Sequence, residues 1–148
     1  MSRFSRMGEA GVTDDRQKRL VTDSLVLIRA RVLPASSQFY DNLFVLAPDL
    51  RRLFRSDLAG QGMRFMTTLA VIAELLNDDA ELARALDGLA QAHRGIGVRA
   101  EHFPAVGAAL LVTLGETLGD HFTCELQEAW RSAYDDFAAR MIERGGFD

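Results

Sequence analysis

The spacing of apolar residues is the feature that most constrains how this chain can fold. Val21, Leu25 and Ile28 follow one another at steps of four and three residues, and the same spacing recurs along nearly the whole sequence. This period places apolar side chains on one face of an α-helix. We find no alternation of apolar and polar residues with β-branched enrichment, which is the pattern of a half-buried strand. The sequence therefore predicts an all-α protein.

Capping and helix-breaking residues divide this pattern into six substantial helices and one short helical turn. Thr13, which precedes two aspartates, predicts the start of the first helix. Pro34 suits the first position of the second helix, and Pro48 predicts its end. The remaining segments are a short turn over Pro48–Phe54, helices over Asp57–Leu76, Glu101–Gly119 and Phe122–Arg144, and a helix that runs from the cap cluster at 77–79 to the glycines at 95 and 97.

Composition and charge favour a single globular domain that binds small molecules or proteins. The chain has 148 residues, of which 48% are hydrophobic and 26% charged, which is ordinary globular usage. A net charge of -4 gives no sign of a nucleic-acid partner. Apolar runs such as Ala108–Val112 are far shorter than the about 20 residues that span a bilayer, so no membrane partner is expected.

The single cysteine and the N-terminal stretch complete the expected organisation of the chain. Cys124 has no second cysteine with which to form an internal disulfide, which fits a reducing cytoplasm. Residues 1–12 contain arginines but no apolar segment of the kind that a signal peptide needs. We therefore expect a cytoplasmic protein with a flexible N-terminal tail over 1–12 and one domain over 13–148.

Three polar side chains fall on otherwise apolar helix faces. His93 follows Leu89 by four residues, Gln61 precedes Phe65 by four, and Tyr40 lies within the stripe of the second helix. Burying such a group without a partner costs about 1–3 kcal/mol, so each needs a reason to be inside. The pattern alone leaves two interpretations open for each residue. His93 is a core histidine or an iron ligand, Tyr40 is a core or a site tyrosine, and Gln61 faces the interior or solvent.

Motifs for other chemistries are absent from the sequence. We find no HExxH, GxGxxG, GxxxxGK[ST] or GxSxG pattern, so the usual sequence motifs of hydrolases and nucleotide-binding proteins are absent. The carboxylate pairs at 78–79 and 135–136 lie at caps or on polar faces and are interpreted as solvated. His102 and His121 lie off the apolar stripes and share no ligand spacing with His93, so a structural zinc site is not predicted.

A series of short motifs runs through the chain in a recognisable order. It comprises the hexapeptide at 39–44, Ala-Pro-Asp at 47–49, Leu-Phe at 53–54, Gln61, Ala-His-Arg at 92–94, Gly-Val at 97–98, the heptapeptide at 101–107, Ala-Trp at 129–130 and Tyr134. In order and spacing, over roughly residues 13–143, this series resembles bacterial single-domain globins related to flavohaemoglobins. The resemblance implies a three-on-three helical sandwich that binds haem b.

The resemblance also implies roles for individual residues on the two faces of the haem. His93 matches the proximal ligand of the iron, and Phe54 matches a phenylalanine that packs on the haem. Tyr40 and Gln61 match the distal pair that donates hydrogen bonds to bound O2.

Four positions show where this chain departs from its relatives or leaves a choice open. Phe65 would overhang the distal pocket at a position where relatives more often carry a smaller aliphatic side chain. Arg64 is a candidate partner of a haem propionate, or else a solvated arginine. Phe103 stands where flavohaemoglobins have a tyrosine, and Gly145 stands where they have a glutamate. These last two differences imply a weaker electronic push through the proximal histidine.

The resemblance leaves more than one function open. The first hypothesis is a haem protein that binds O2 and other diatomic ligands such as NO and CO, as a monomer or homodimer. A second is conversion of NO to nitrate with electrons from a separate reductase. An alternative from a different class is a haem-based gas or redox sensor that acts through a protein partner.

Overall fold

The computed structural model describes residues 13–53, 58–95 and 99–145, apart from the side chains at 32–34, 36, 58–61, 63, 92–95 and 144–145. Within these ranges the chain forms helices and no strand, which confirms the predicted all-α class. The predicted tail, 1–12, lies outside the described residues. No described helix combines the length and the apolar character that crossing a membrane requires.

Six α-helices and several short 3-10 segments make up the described chain. The 3-10 segments are Pro48–Leu53, Leu75–Asn77, Ala100–His102 and Gly119–His121. The α-helices, in chain order, are α1 (Asp15–Arg29), α2 (Val32–Leu46), α3 (Leu58–Glu74), α4 (Asp79–Gly95), α5 (Phe103–Leu118) and α6 (Cys124–Gly145). The predicted helices are thus all present, with ends shifted by a few residues.

The start of α1 shows why helix ends are hard to predict. The cap is Asp14 and not Thr13, because the Asp14 carboxylate accepts a hydrogen bond from the Gln17 backbone N–H at 2.7 Å. The Gln17 side chain accepts in return from the Asp14 N–H at 3.1 Å, which completes a capping box. The Thr13 hydroxyl instead forms a 3.1 Å hydrogen bond with the Ser132 hydroxyl on α6.

The helices form the predicted three-on-three sandwich. One layer contains α1, α3 and α4, and the other contains α2, α5 and α6. Between the layers, α2 lies against α3, and α6 lies against both α1 and α4. Within the second layer, α2 packs closely against α5. This packing places α2 in contact with both α3 and α5.

Hydrogen bonds between helices fix the helix pairs in register. The Asn42 amide on α2 donates to the Thr113 hydroxyl at 3.0 Å and to a Glu116 carboxylate oxygen at 2.9 Å, both on α5. The Trp130 indole N–H on α6 donates to the Ser24 hydroxyl on α1 at 2.9 Å. Because buried polar groups are costly without partners, these bonds favour one relative position of each pair.

The predicted apolar stripes face the interior. Val21, Leu25 and Ile28 on α1 are buried. Many apolar residues at the same spacing in the later helices are buried too. Those residues include Leu69, Ile72, Leu82, Leu86, Leu110, Leu114, Leu126, Trp130, Phe137 and Met141. Their burial contributes roughly 25 cal/mol for each Å² of apolar surface removed from water, which is the main force holding the two layers together.

Candidate functional site

A cavity of about 420 Å³ lies between the two layers. Residues of α2 to α6 and of the 3-10 segment Pro48–Leu53 line it. Most of the lining side chains are aliphatic or aromatic. The described polar side chains in its wall are Tyr40, Arg64, Thr68, His102 and Tyr134. A largely apolar space of this volume with a few polar groups is typical of a site for a small molecule or cofactor.

The structure brings three of the residues predicted from the sequence to this cavity. Tyr40 on α2 and both Arg64 and Phe65 on α3 line its wall. Tyr40 is only 6% exposed, and Phe65 is half-buried. Arg64 is exposed, so it reaches both the cavity and solvent. The cavity therefore has a phenol inside and a cation at its edge.

The other three predicted residues fall outside what the structure describes. Phe54 lies outside the described residues, and so do the side chains of Gln61 and His93. The backbone of Gln61 belongs to α3, one helical turn before Phe65. The backbone of His93 belongs to α4, four residues after Leu89, which lines the cavity. The roles of these three residues remain predictions.

The environment of Tyr40 keeps its hydroxyl protonated. Burial raises the pKa of Tyr40 to about 12, although the nearby positive charge of Arg64 acts in the opposite direction. At neutral pH the side chain is therefore a neutral phenol that can donate a hydrogen bond. Asn42, two residues further along α2, holds this part of the helix against α5 through its bond to Thr113.

Aromatic contacts hold Phe65 in place. Its ring stacks on the ring of Phe39 with 4.2 Å between the centroids and 13° between the planes. The Phe39 ring in turn meets the Tyr40 ring edge to face at a centroid distance of 5.2 Å. Such contacts add about 0.5–1.5 kcal/mol for each pair beyond the burial of the rings. Phe65 is thus a fixed part of the cavity wall on the same side as Tyr40.

Tyr134 forms a second polar point in the wall. Its hydroxyl donates to the backbone carbonyl of Phe103 at 2.8 Å, which ties α6 to the start of α5. Burial raises the pKa of Tyr134, and the negative charge of Asp135 raises it further, so this phenol is also neutral. Phe103 itself is buried and lines the cavity with an apolar ring.

The Tyr134 ring lies directly against the backbone of α5 at Gly107. A Cβ atom at position 107 would be 2.6 Å from Cε2 and 2.8 Å from Cδ2 of Tyr134. We therefore expect Gly107→Ala to lower the free energy of unfolding by about 1–2 kcal/mol, since overpacking outweighs the gain in helix propensity. Urea unfolding of the purified protein measures this change.

The matched control for this substitution is Gly88→Ala on α4. A Cβ atom at Gly88 would meet no atom within 4 Å. We expect this variant to be more stable than the wild type by up to about 1 kcal/mol, because alanine is the better helix former. Equal stability of the two variants would contradict the close contact between Gly107 and Tyr134.

His102 is a cavity residue that the sequence analysis missed. It was placed off the apolar stripes, although it precedes Val106 on the predicted helix by four residues, which is about one helical turn. In the structure His102 ends the 3-10 segment Ala100–His102, directly before α5. It lines the cavity together with Phe103 and Val106. The four-residue step to Val106 was the available signal.

Comparisons with known proteins agree with the fold. The family model described as Globin matches residues 37–141. A flavohemoprotein of Bordetella pertussis is 35% identical over 109 residues, which are 72% of this chain and 27% of that protein. The chain therefore spans about a quarter of the length of this relative.

Solved structures of bacterial proteins share the architecture. A bacterial globin from Campylobacter jejuni superposes with a TM-score of 0.80 at 21% identity, covering 90% of this chain and 96% of that one. An engineered carbene transferase from Rhodothermus marinus, whose name also includes nitric oxide dioxygenase, gives a TM-score of 0.82 at 24% identity, covering 91% and 94%. At these identities the likeness concerns the fold alone.

Proposed function

Because the chain belongs to the globin family, we propose that its cavity binds haem b and that the bound haem takes up a diatomic gas, chiefly O2. The observation that carries the proposal is the cavity of about 420 Å³, with its apolar walls, a buried phenol and an arginine at its edge. Haem is a flat apolar ring that bears two carboxylates along one side. Apolar walls suit the ring, and Arg64 at the edge suits the carboxylates.

Residues on opposite sides of the cavity would hold the haem. His93 is the proposed axial ligand, because its helix α4 supplies Leu86 and Leu89 to the cavity wall and continues to position 93. Phe54 is proposed to pack on the face of the ring. When bound, the haem supplies an iron that binds O2, NO or CO.

On the other side, Tyr40 is the proposed donor to the gas. A bound O2 carries partial negative charge, which a preorganised O–H donor stabilises. The raised pKa of Tyr40, about 12, means that this donor keeps its proton at all physiological pH values. Gln61, which is one turn before Phe65 on α3, is the proposed second donor. Phe65 limits the space around the gas and excludes water from it.

A second and more specific proposal for the same pocket is the conversion of NO to nitrate. It is supported by the shared fold of a Rhodothermus marinus protein whose name includes nitric oxide dioxygenase. The reaction combines O2, NO and one electron to give nitrate, so the proposal includes a separate reductase as the electron donor. In it Tyr40 retains the role of holding O2, and the apolar wall formed by Phe39 and Phe65 admits NO.

Absorption spectra of the purified protein test whether it binds haem with an open site for gas. We expect the protein to take up one haem per chain, with a Soret band that shifts on reduction with dithionite and shifts again with CO. The control is the same protein unfolded in urea, which reports non-specific haem uptake. Absence of a Soret band in protein whose circular dichroism is helical would contradict the proposed function.

A further inference from the structure

His102 is a polar residue of the cavity wall. It is neither the proposed axial ligand nor one of the proposed donors to the gas. It is half-buried, so it lines the cavity and also reaches solvent. Arg64 shares this position at the boundary, whereas Tyr40 is buried. The Tyr134 hydroxyl is already used by the Phe103 carbonyl. His102 and Arg64 are therefore polar groups of the wall that lie where an anionic edge would reach water.

The backbone fixes the orientation and the proton of the His102 ring. The Arg99 N–H donates to Nδ1 of His102 at 3.0 Å. An Nδ1 that accepts a hydrogen bond carries no proton, so the neutral ring has its proton on Nε2. In the part of the chain that the structure describes, Nε2–H of His102 has no protein acceptor. The ring is thus held in place with a donor available for a ligand.

The charges around His102 also favour an anion. The neighbouring carboxylate of Glu101 is paired with the Arg99 guanidinium at 3.2 Å. Arg64 places a second guanidinium in the wall of the same cavity. The rim of this cavity therefore offers an anion a cation and a preoriented N–H donor, while the neighbouring carboxylate of Glu101 is engaged by another partner.

From this geometry we propose that His102 donates Nε2–H to a propionate carboxylate of haem and acts with Arg64 as a second anchor of the cofactor. The inference rests on the proposed haem binding. A hydrogen bond between N–H and a carboxylate is charge-assisted, and its loss at a half-buried site accelerates ligand release by about tenfold. The same bond would keep one edge of the haem at the boundary with solvent.

The test measures how fast haem leaves the reconstituted protein for an excess of a tight-binding apoglobin. We expect His102→Leu to lose haem about tenfold faster than the wild type, because the donor is removed. His102→Gln should keep a rate within about threefold of the wild type, since its amide N–H can take the place of Nε2–H. His121→Leu is the matched control, because His121 is exposed and does not line the cavity.

The dimethyl ester of haem separates a propionate contact from a structural role of His102. With both carboxylates esterified, the wild type and His102→Leu should lose the cofactor at rates within about twofold of each other, because the charged acceptor is gone. Equal acceleration with haem and with its ester would overturn the inference and indicate a role in the fold around Arg99 and Phe103.

Two further outcomes distinguish the failure of this inference from the failure of haem binding itself. If the wild type takes up haem and His102→Leu loses it no faster, the inference is wrong while the proposed function stands. If the wild type takes up no haem, both are wrong.

Discussion

Tyr40→Phe will raise the dissociation rate of O2 from the reduced, haem-loaded protein by about 10- to 100-fold. The substitution removes one hydroxyl from a side chain that is 6% exposed and leaves the ring that packs on Phe39. A hydrogen bond to a charged group is worth about 1.5–3 kcal/mol, and 1.4 kcal/mol corresponds to about tenfold in rate. Stopped-flow displacement of O2 by CO measures the rate.

The only other tyrosine of the chain provides the matched control for Tyr40→Phe. The sequence contains two tyrosines, and Tyr134 spends its hydroxyl on the Phe103 carbonyl at 2.8 Å. We expect Tyr134→Phe to change the O2 dissociation rate by less than about twofold and to lower the free energy of unfolding by about 1 kcal/mol. Equal O2 kinetics in the wild type and in a folded Tyr40→Phe would show that Tyr40 is not the donor.

The pH dependence of the same rate follows from the pKa of Tyr40. Because that pKa is raised to about 12, the phenol stays protonated in the folded protein where an exposed tyrosine, at about 10, would ionise. Its hydrogen bond to the gas should therefore be constant between about pH 6 and 10. The stability that the neutral buried phenol contributes is fully present below about pH 10 and is lost as the pH rises through about 12.

The fold could be predicted from the sequence because helical periodicity and the packing of apolar faces give the same answer. Leu82 and Leu86 on α4, like Leu126 and Trp130 on α6, follow the helical spacing of apolar residues and are buried. Helix ends were less accurate, since neighbouring residues compete for the cap. At α1 the carboxylate of Asp14 is the cap and not the hydroxyl of the residue before it.

The candidate site could be predicted only in part, for a physical reason. Tyr40 was singled out by residue type and helical register, and Arg64 and Phe65 by the resemblance to globins; all three line one cavity. The stacking of Phe65 on Phe39 joins two helices, and local spacing carries no information about such a contact. His102 was missed because polar side chains at the start of a helix are commonly solvated, although it precedes the cavity residue Val106 by four residues. The contributions of Phe54, Gln61 and His93 stay predictions.

Two aromatic side chains make the cavity wall more apolar. Phe65 stacks on Phe39 in the wall of the cavity. Phe103, which also lines the cavity, provides a backbone carbonyl to Tyr134 but no side-chain hydroxyl of its own. In such apolar surroundings we expect the proposed hydrogen bond from Tyr40 to O2 to have a correspondingly large effect.

His93→Gly should produce the largest loss of cofactor of any single substitution in the chain. The change removes the proposed axial ligand of the iron. Removing an outer-shell partner of a metal ligand lowers metal affinity about 10- to 100-fold, and we expect removal of the ligand itself to lower haem affinity by more. Added imidazole should restore the Soret band of the variant, because it supplies the missing nitrogen donor. The spectrum and the rate of haem loss, each measured with and without imidazole, give the result.

Gln91→Gly is the control for the helix itself. Gln91 is exposed on α4, two residues before His93. Glycine at either position lowers the stability of the helix by about 1 kcal/mol, but at position 91 it removes no proposed ligand. We expect this variant to keep haem at the wild-type rate and to be indifferent to imidazole. If His93→Gly also keeps haem at that rate, with a spectrum that imidazole leaves unchanged, the iron ligand is a different residue.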